Sequence, residues 1–166
     1  MRSPKSFEHA LTIAAAPATV FNAFFDPHSL SIWWQAARSV TTPVPLGVYA
    51  VEWRPSEWAD DLLGPLGGVF HGTVIEVRGR AEFTVAECWW VPPSGDPIGP
   101  MSLHVTCAPA GNGCLLTVAQ RGHEPSPRWD RYYELIARGW HSSLSALKRL
   151  AEAGAPPGSS AAEPRS

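Results

Sequence analysis

A chain of 166 residues with 45% hydrophobic side chains has the size of one ordinary domain, able to bury roughly 70% of its unfolded surface. Thirteen basic residues against fifteen acidic ones give a net charge of -2, and the only lysines are Lys5 and Lys148. That balance offers no basic stripe for a phosphate backbone and argues against a nucleic-acid partner.

No apolar run has the length of a membrane-spanning helix, so membrane insertion is not expected. Cys88, Cys107 and Cys114 cannot all pair with one another, and no CxxC occurs. The N-terminus has no signal-like apolar stretch either, and a reducing, cytoplasmic setting is the expectation.

In chain order, Lys5 to Ala15 predicts a first strand, with Phe7, His9, Leu11 and Ile13 on one side and Glu8 and Thr12 on the other. Pro17 then suits the opening turn of a short helix, PATVFNAFF, because its missing N–H has no partner there. Asp26-Pro27 stops that helix and starts a second one ending near Trp33-Trp34. Gly47 opens a strand that places Tyr49, Val51 and Trp53 on one face, and Pro55 ends it.

Ser56 to Gly68 is expected to be a loop of apolar and acidic character. Further strands are predicted at Val69–Val77, Ala81–Val91, Pro100–Ala108 and Cys114–Gln120. Ala110-Gly111-Asn112-Gly113 is a turn signal, because Asn and Gly tolerate positive φ. Val91 to Pro100 is too rich in proline for a central strand and is predicted to be a mobile rim loop.

Trp129 to Leu150 is the one long segment with helical periodicity. Trp129, Tyr133, Ile136, Trp140, Leu144 and Leu147 recur at three- and four-residue steps and share a face. Residues 1–153 therefore form one predicted domain, and the small, polar, Pro-rich stretch 154–166 a disordered tail. Strands joined by short loops favour an antiparallel sheet, so the class is α+β. A long amphipathic helix after such a sheet must cover it, and the two aromatic-rich surfaces would enclose a pocket or a solid core.

Four segments then carry a resemblance: IAAAPATVFNAFFDPHSLSIWW from Ile13, Gly47 with its aromatic strand, GTVIEVRGRAEFTVAECWW from Gly72, and GNGCLLTVAQRG followed by GWHSSLSAL. In this order and spacing they resemble the START-like superfamily, also called SRPBCC or the polyketide cyclase/dehydrase and lipid transport group. The chain is most like its activator of heat-shock-protein ATPase homologue-like family. Cys114 stands where that family usually has Thr, and Gln120 where His is common. The resemblance implies a helix-grip fold, a curved antiparallel sheet of about six or seven strands around the terminal helix, with a cavity between them. Members include ligand carriers, toxin-resistance proteins, stress-response proteins and co-chaperone-like domains.

Eight tryptophans are many for one core, whereas lining a groove for an aromatic or lipid-like molecule uses them readily. The expected ligand-binding residues are Trp34, Tyr49, Trp53, His71, Trp89, Tyr133, Ile136 and Trp140. Trp89 and Trp90 must face opposite ways if their strand is regular. Gly139, in mid-helix beside Trp140, is expected to allow close helix–sheet approach or room for the indole, with a ligand passage through that gap as the lesser alternative.

Glu52, His71, Glu76, Glu87, His104 and Gln120 are polar residues in apolar strands. His71 and Glu87 would make an acid–base pair if both faced the pocket. The alternative places such side chains on the exposed face. His9, His28, His71, His104, His123 and His141 show no HxH or HExxH spacing, so no metal or other cofactor is expected.

The favoured function is binding of a small hydrophobic molecule. A cyclase, dehydratase or hydrolase using an inward Glu or His is the first alternative, and a co-chaperone-like interaction module the second. A patch of Trp58, Leu62, Leu63 and Leu66 would serve that module or a homodimer.

Overall fold

The computed structural model describes residues 6–154. Strand β1, Ser6–Ile13, buries Phe7 and Ile13 and exposes Glu8 and Thr12, following the alternation in its sequence. Helix α1, Pro17–Ala23, has proline in its first turn. Helix α2, Pro27–Trp33, is capped by Asp26, whose carboxylate accepts from the Ser29 backbone N–H at 2.9 Å and the Ser29 hydroxyl at 2.8 Å.

Next come β2 (Arg38–Thr41) and β3 (Val48–Trp53), then β4 (Ala59–Asp60) and β5 (Gly64–Pro65). The remaining strands are β6 (Gly68–Arg78), β7 (Glu82–Val91), β8 (Ile98–Ala110) and β9 (Gly113–Arg121). Helix α3, Pro127–Gly154, closes the described chain. It extends beyond the periodic segment at both ends and takes in Gly154, the first residue of the expected tail. The rest of that tail lies outside the described residues.

Seven strands form one sheet in the order β1-β9-β8-β7-β6-β3-β2, and every neighbouring pair is antiparallel. This is the helix-grip arrangement, with α1 packed on β8 and β9 and α2 between β2 and α3. Strand β2 was not expected, because RSVT is a short edge strand with no fully buried residue and hence no apolar alternation. The Arg38 Nε–Glu52 Oε1 ion pair, at 2.6 Å, joins it to β3. Two-residue strands β4 and β5 also fold part of the Ser56–Gly68 segment into a small flap.

The connection between β7 and β8 is shorter than the sequence suggested, since β8 begins at Ile98, which is buried. Arg128 Nη2 donates to the Asp96 carbonyl at 2.9 Å and ties this connection to α3. At the other end of α3, Glu152 accepts from the Ala14 backbone N–H at 2.9 Å, and Lys148 donates to the Thr12 carbonyl at 3.0 Å. These contacts hold α3 at both ends of the sheet.

The space beneath the helices is filled unevenly. Under α1, Phe21, Phe24, Phe25, Tyr49 and Phe83 pack edge to face and stacked, with centroids 4.7–5.8 Å apart where they touch. That half is solid. The half beneath the middle of α3 is not.

Candidate functional site: an indole-walled cavity

A cavity of about 410 Å³ lies between the sheet, α2, the β4–β5 flap and α3. Its volume falls in the range of small-molecule sites, roughly 300–1,000 Å³. From α3 it receives Tyr132, Leu135, Ile136, Gly139, Trp140 and Ser143, a stripe stepping by three or four residues. A second stripe, Tyr133, Trp140, Leu144, Leu147 and Ala151, is buried in the core. Trp140 belongs to both.

Four indoles form the wall: Trp34, Trp53, Trp90 and Trp140. Trp34 lies 5.2 Å from Trp53 and 4.9 Å from Trp140, centroid to centroid. Three of the four have their N–H bonded into the protein. Trp53 donates to the Trp34 carbonyl at 2.7 Å, Trp90 to the Gly67 carbonyl at 2.7 Å, and Trp140 to Gln120 Oε1 at 2.9 Å. With those N–H groups satisfied, the rings contribute apolar surface to the cavity. Gln35, Arg54 and Gly139 also line it but are exposed, and they mark its mouth.

The flap supplies Leu63 and Leu66. Asp60 holds it in place: Oδ1 accepts from Arg131 Nε at 2.8 Å, and Oδ2 accepts from the Leu62 and Leu63 amides at 3.0 and 3.1 Å. The proposed surface patch is corrected accordingly. Leu63 is buried, Leu66 is half-buried on the cavity wall, and only Trp58 and Leu62 remain exposed. Two leucines in a Gly- and Pro-rich loop gave no sign that the loop folds back on itself.

Of the residues expected to bind ligand, Trp34, Trp53, Ile136 and Trp140 line this cavity. Tyr49 does not: it is fully buried in the solid half, and its hydroxyl donates to the Phe24 carbonyl at 2.8 Å. Tyr133 is also fully buried away from the cavity, donating to the Gly122 carbonyl at 2.7 Å. Helix phase alone could not separate Tyr133 from Tyr132, which does line it.

Trp89 and Trp90 exchange the places expected of them, and the cause is a β-bulge. Along β7–β8 the pairing passes from Val85↔Leu103 to Cys88↔Met101, so β7 spends one residue more than its partner. Glu87, at φ 53°, absorbs the extra residue. Val85, Cys88 and Trp90 consequently face inward, while Glu87 is exposed and Trp89 is half-buried against Gly99 on the other face. The opposing strand anticipates this at Gly72, where a Cβ would come within 2.8 Å of the Ala86 carbonyl oxygen. An isolated glycine inside a strand was the available signal.

His71, opposite Trp89 on the outer face, is exposed like Glu87. The acid–base pair facing the pocket is therefore not formed. Glu52 pairs with Arg38, Glu76 with Arg78, and His104 with Glu82, all at least partly exposed. Gln120 alone of the six polar strand residues is buried, at 1% exposure, and it lines the cavity.

At Gly139 one of the expected roles is excluded. A Cβ there would meet nothing within 4 Å, so close helix–sheet approach is not its role. It leaves open space at the cavity mouth. Burial pushes the Cys88 thiol up to about 12, which leaves it protonated and a poor nucleophile. Among the described residues no group of His, Cys, Asp or Glu is arranged to hold a metal ion, and no helix is long and apolar enough to cross a membrane.

The family model for Activator of Hsp90 ATPase homolog 1-like protein matches residues 14–152, most of the chain. The chain belongs to that family. Family membership and the helix-grip architecture together place it in the START-like superfamily. Protein CV1439 from Chromobacterium violaceum is similar at 22% identity and TM-score 0.66, over 90% of this chain and 98% of its own. Protein MLL2253 from Mesorhizobium loti is similar at 19% identity and TM-score 0.68, over 90% and 98%. The Aha1 dimer from Colwellia psychrerythraea is similar at 16% identity and TM-score 0.60, over 90% and 97%. At such identities the likeness is one of fold. No functionally curated sequence matches this one.

Proposed function

We propose that this protein binds a small hydrophobic molecule, aromatic or lipid-like, between the sheet and α3. The observation that carries the reading is the cavity of about 410 Å³ walled by Trp34, Trp53, Trp90 and Trp140. Apolar burial supplies the affinity, at roughly 25 cal/mol per Å² removed from water. Family membership supports the reading at the level of fold, the resemblance implying a cavity between the sheet and the terminal helix. Its setting would be the reducing cytoplasm, consistent with three free, buried cysteines.

Native mass spectrometry of gently purified protein, together with titration by anilinonaphthalene sulfonate, tests the reading. A retained small molecule or saturable dye fluorescence is the expected result. Protein of bare mass that leaves the dye dark would overturn it.

A homodimer is a second, separate proposal. Val40, Val44, Leu46, Val48 and Ile75 are exposed around the open β2 edge of the sheet, an apolar surface of the type that subunits cover. The Colwellia relative is described as a dimer. Sedimentation that stays monomeric at high protein concentration would refute this assembly.

A further inference from the structure

The amide of Gln120 sits between Trp140 and Tyr132, and the indole decides which way round it lies. An indole N–H can only donate, so the Gln120 atom facing Trp140 Nε1 at 2.9 Å must be the oxygen. The amide nitrogen is then turned toward Tyr132, and it donates to the phenol oxygen at 2.9 Å. Tyr132 has spent its oxygen as an acceptor but keeps its own O–H hydrogen. Among the described residues no acceptor receives that hydrogen, although Tyr132 is only 6% exposed.

Gln120 and Tyr132, joined through this hydrogen bond, both line the cavity. A buried donor without an acceptor is unusual in a folded protein and calls for a partner. Burial raises the Tyr132 pKa far above the ordinary 10.0, so the hydroxyl remains a donor at any working pH.

We infer that Tyr132 selects the ligand, donating its hydroxyl hydrogen to a neutral ketone-type carbonyl on an otherwise apolar, ring-containing molecule. The inference rests on the cavity reading above. It favours a carbonyl over a carboxylate because Phe70, Trp90, Gln120 and Trp140, which share the wall, carry no charge. An anion against Tyr132 would lose its hydration without a countercharge, and the nearby cation, Arg54, is exposed at the mouth. Gln120 is the positioning residue, and Trp140 orients Gln120.

Fluorenone and fluorene, which differ by a carbonyl in place of a methylene, serve as probes, with quenching of tryptophan fluorescence as the readout. Fluorenone is expected to bind about 3- to 10-fold more tightly, the worth of one net hydrogen bond. In Tyr132→Phe the ratio of the two affinities should fall to about one, whatever the change in either affinity alone. The infrared carbonyl stretch of bound fluorenone supplies a readout that needs no variant, and it should lie below its value in alkane.

Equal affinities with an alkane-like stretch would overturn the role of Tyr132 while leaving the cavity reading intact. A preference that survives in folded Tyr132→Phe would do the same. If neither probe binds, the cavity reading itself fails, and this inference with it.

Discussion

The Asp60 carboxylate accepts from Arg131 Nε at 2.8 Å and thereby fastens the β4–β5 flap to the first turns of α3. Asp60 is 6% exposed, and its other oxygen holds the Leu62 and Leu63 amides. One side chain thus organises the turn that delivers Leu63 to the cavity wall.

Replacing Asp60 by Ala should free the flap. The expected result is faster amide hydrogen exchange at Leu62 and Leu63 and weaker binding of apolar probes, with the sheet unaffected. Unchanged exchange at both amides would show that the flap is held by its leucines alone.

The same contact sets a pH limit. Burial works to raise the Asp60 pKa, but the Arg131 guanidinium and the two amides outweigh it and hold it below the ordinary 3.8. A depressed carboxylate stabilises the fold fully above its unfolded pKa and loses that contribution as pH falls through the folded value. Flap protection should therefore be full from neutral pH down to about pH 4 and decline progressively below it as the pH passes through the lowered folded value, as hydrogen exchange across an acid series would show.

Gly139 offers two opposite changes at one position. Ala there should stabilise α3 by about 1 kcal/mol, because a Cβ meets nothing within 4 Å. Phe at the same place should obstruct the mouth and weaken binding of anilinonaphthalene sulfonate. Urea denaturation reads the first effect and dye titration the second.

Trp140 should be costly to remove. Trp140→Ala deletes an indole that is 3% exposed and leaves Gln120 Oε1 without its donor, so a loss of about 3–5 kcal/mol in urea denaturation is expected. Tyr49→Phe is the contrasting case. It breaks the bond to the Phe24 carbonyl and should cost about 1–2 kcal/mol while leaving probe affinity unchanged, because Tyr49 belongs to the solid half.

Gly72→Ala tests the bulge. Its Cβ would press on the Ala86 carbonyl oxygen and Val85 Cγ1 at 2.8 Å and on Cys88 Sγ at 2.9 Å. A loss of about 1–3 kcal/mol is expected, measured by urea denaturation. Wild-type stability would mean that β6 and β7 can reregister without penalty.

Periodicity in the sequence was sufficient for β1 and α3, each of which buries a face that its own residue spacing declares, and Pro17 and Asp26-Pro27 marked the two short helices. It also placed Trp34, Trp53, Ile136 and Trp140 on what proved to be the cavity wall. Parity failed at Trp89, where the extra residue at Glu87 shifts the phase of everything after it in the strand. Nor could spacing tell Tyr132 from Tyr133, neighbours in one helical turn whose separate fates depend on what lies opposite.

Local patterning along the chain therefore settled where most of the strands and helices lie and in what sequence they follow one another. Tertiary structure alone decided that aromatic rings fill one end of the grip while the other stays hollow. Whether a gap closes depends on side chains from α1, α2, the flap and α3 meeting across it, and no single segment encodes that sum.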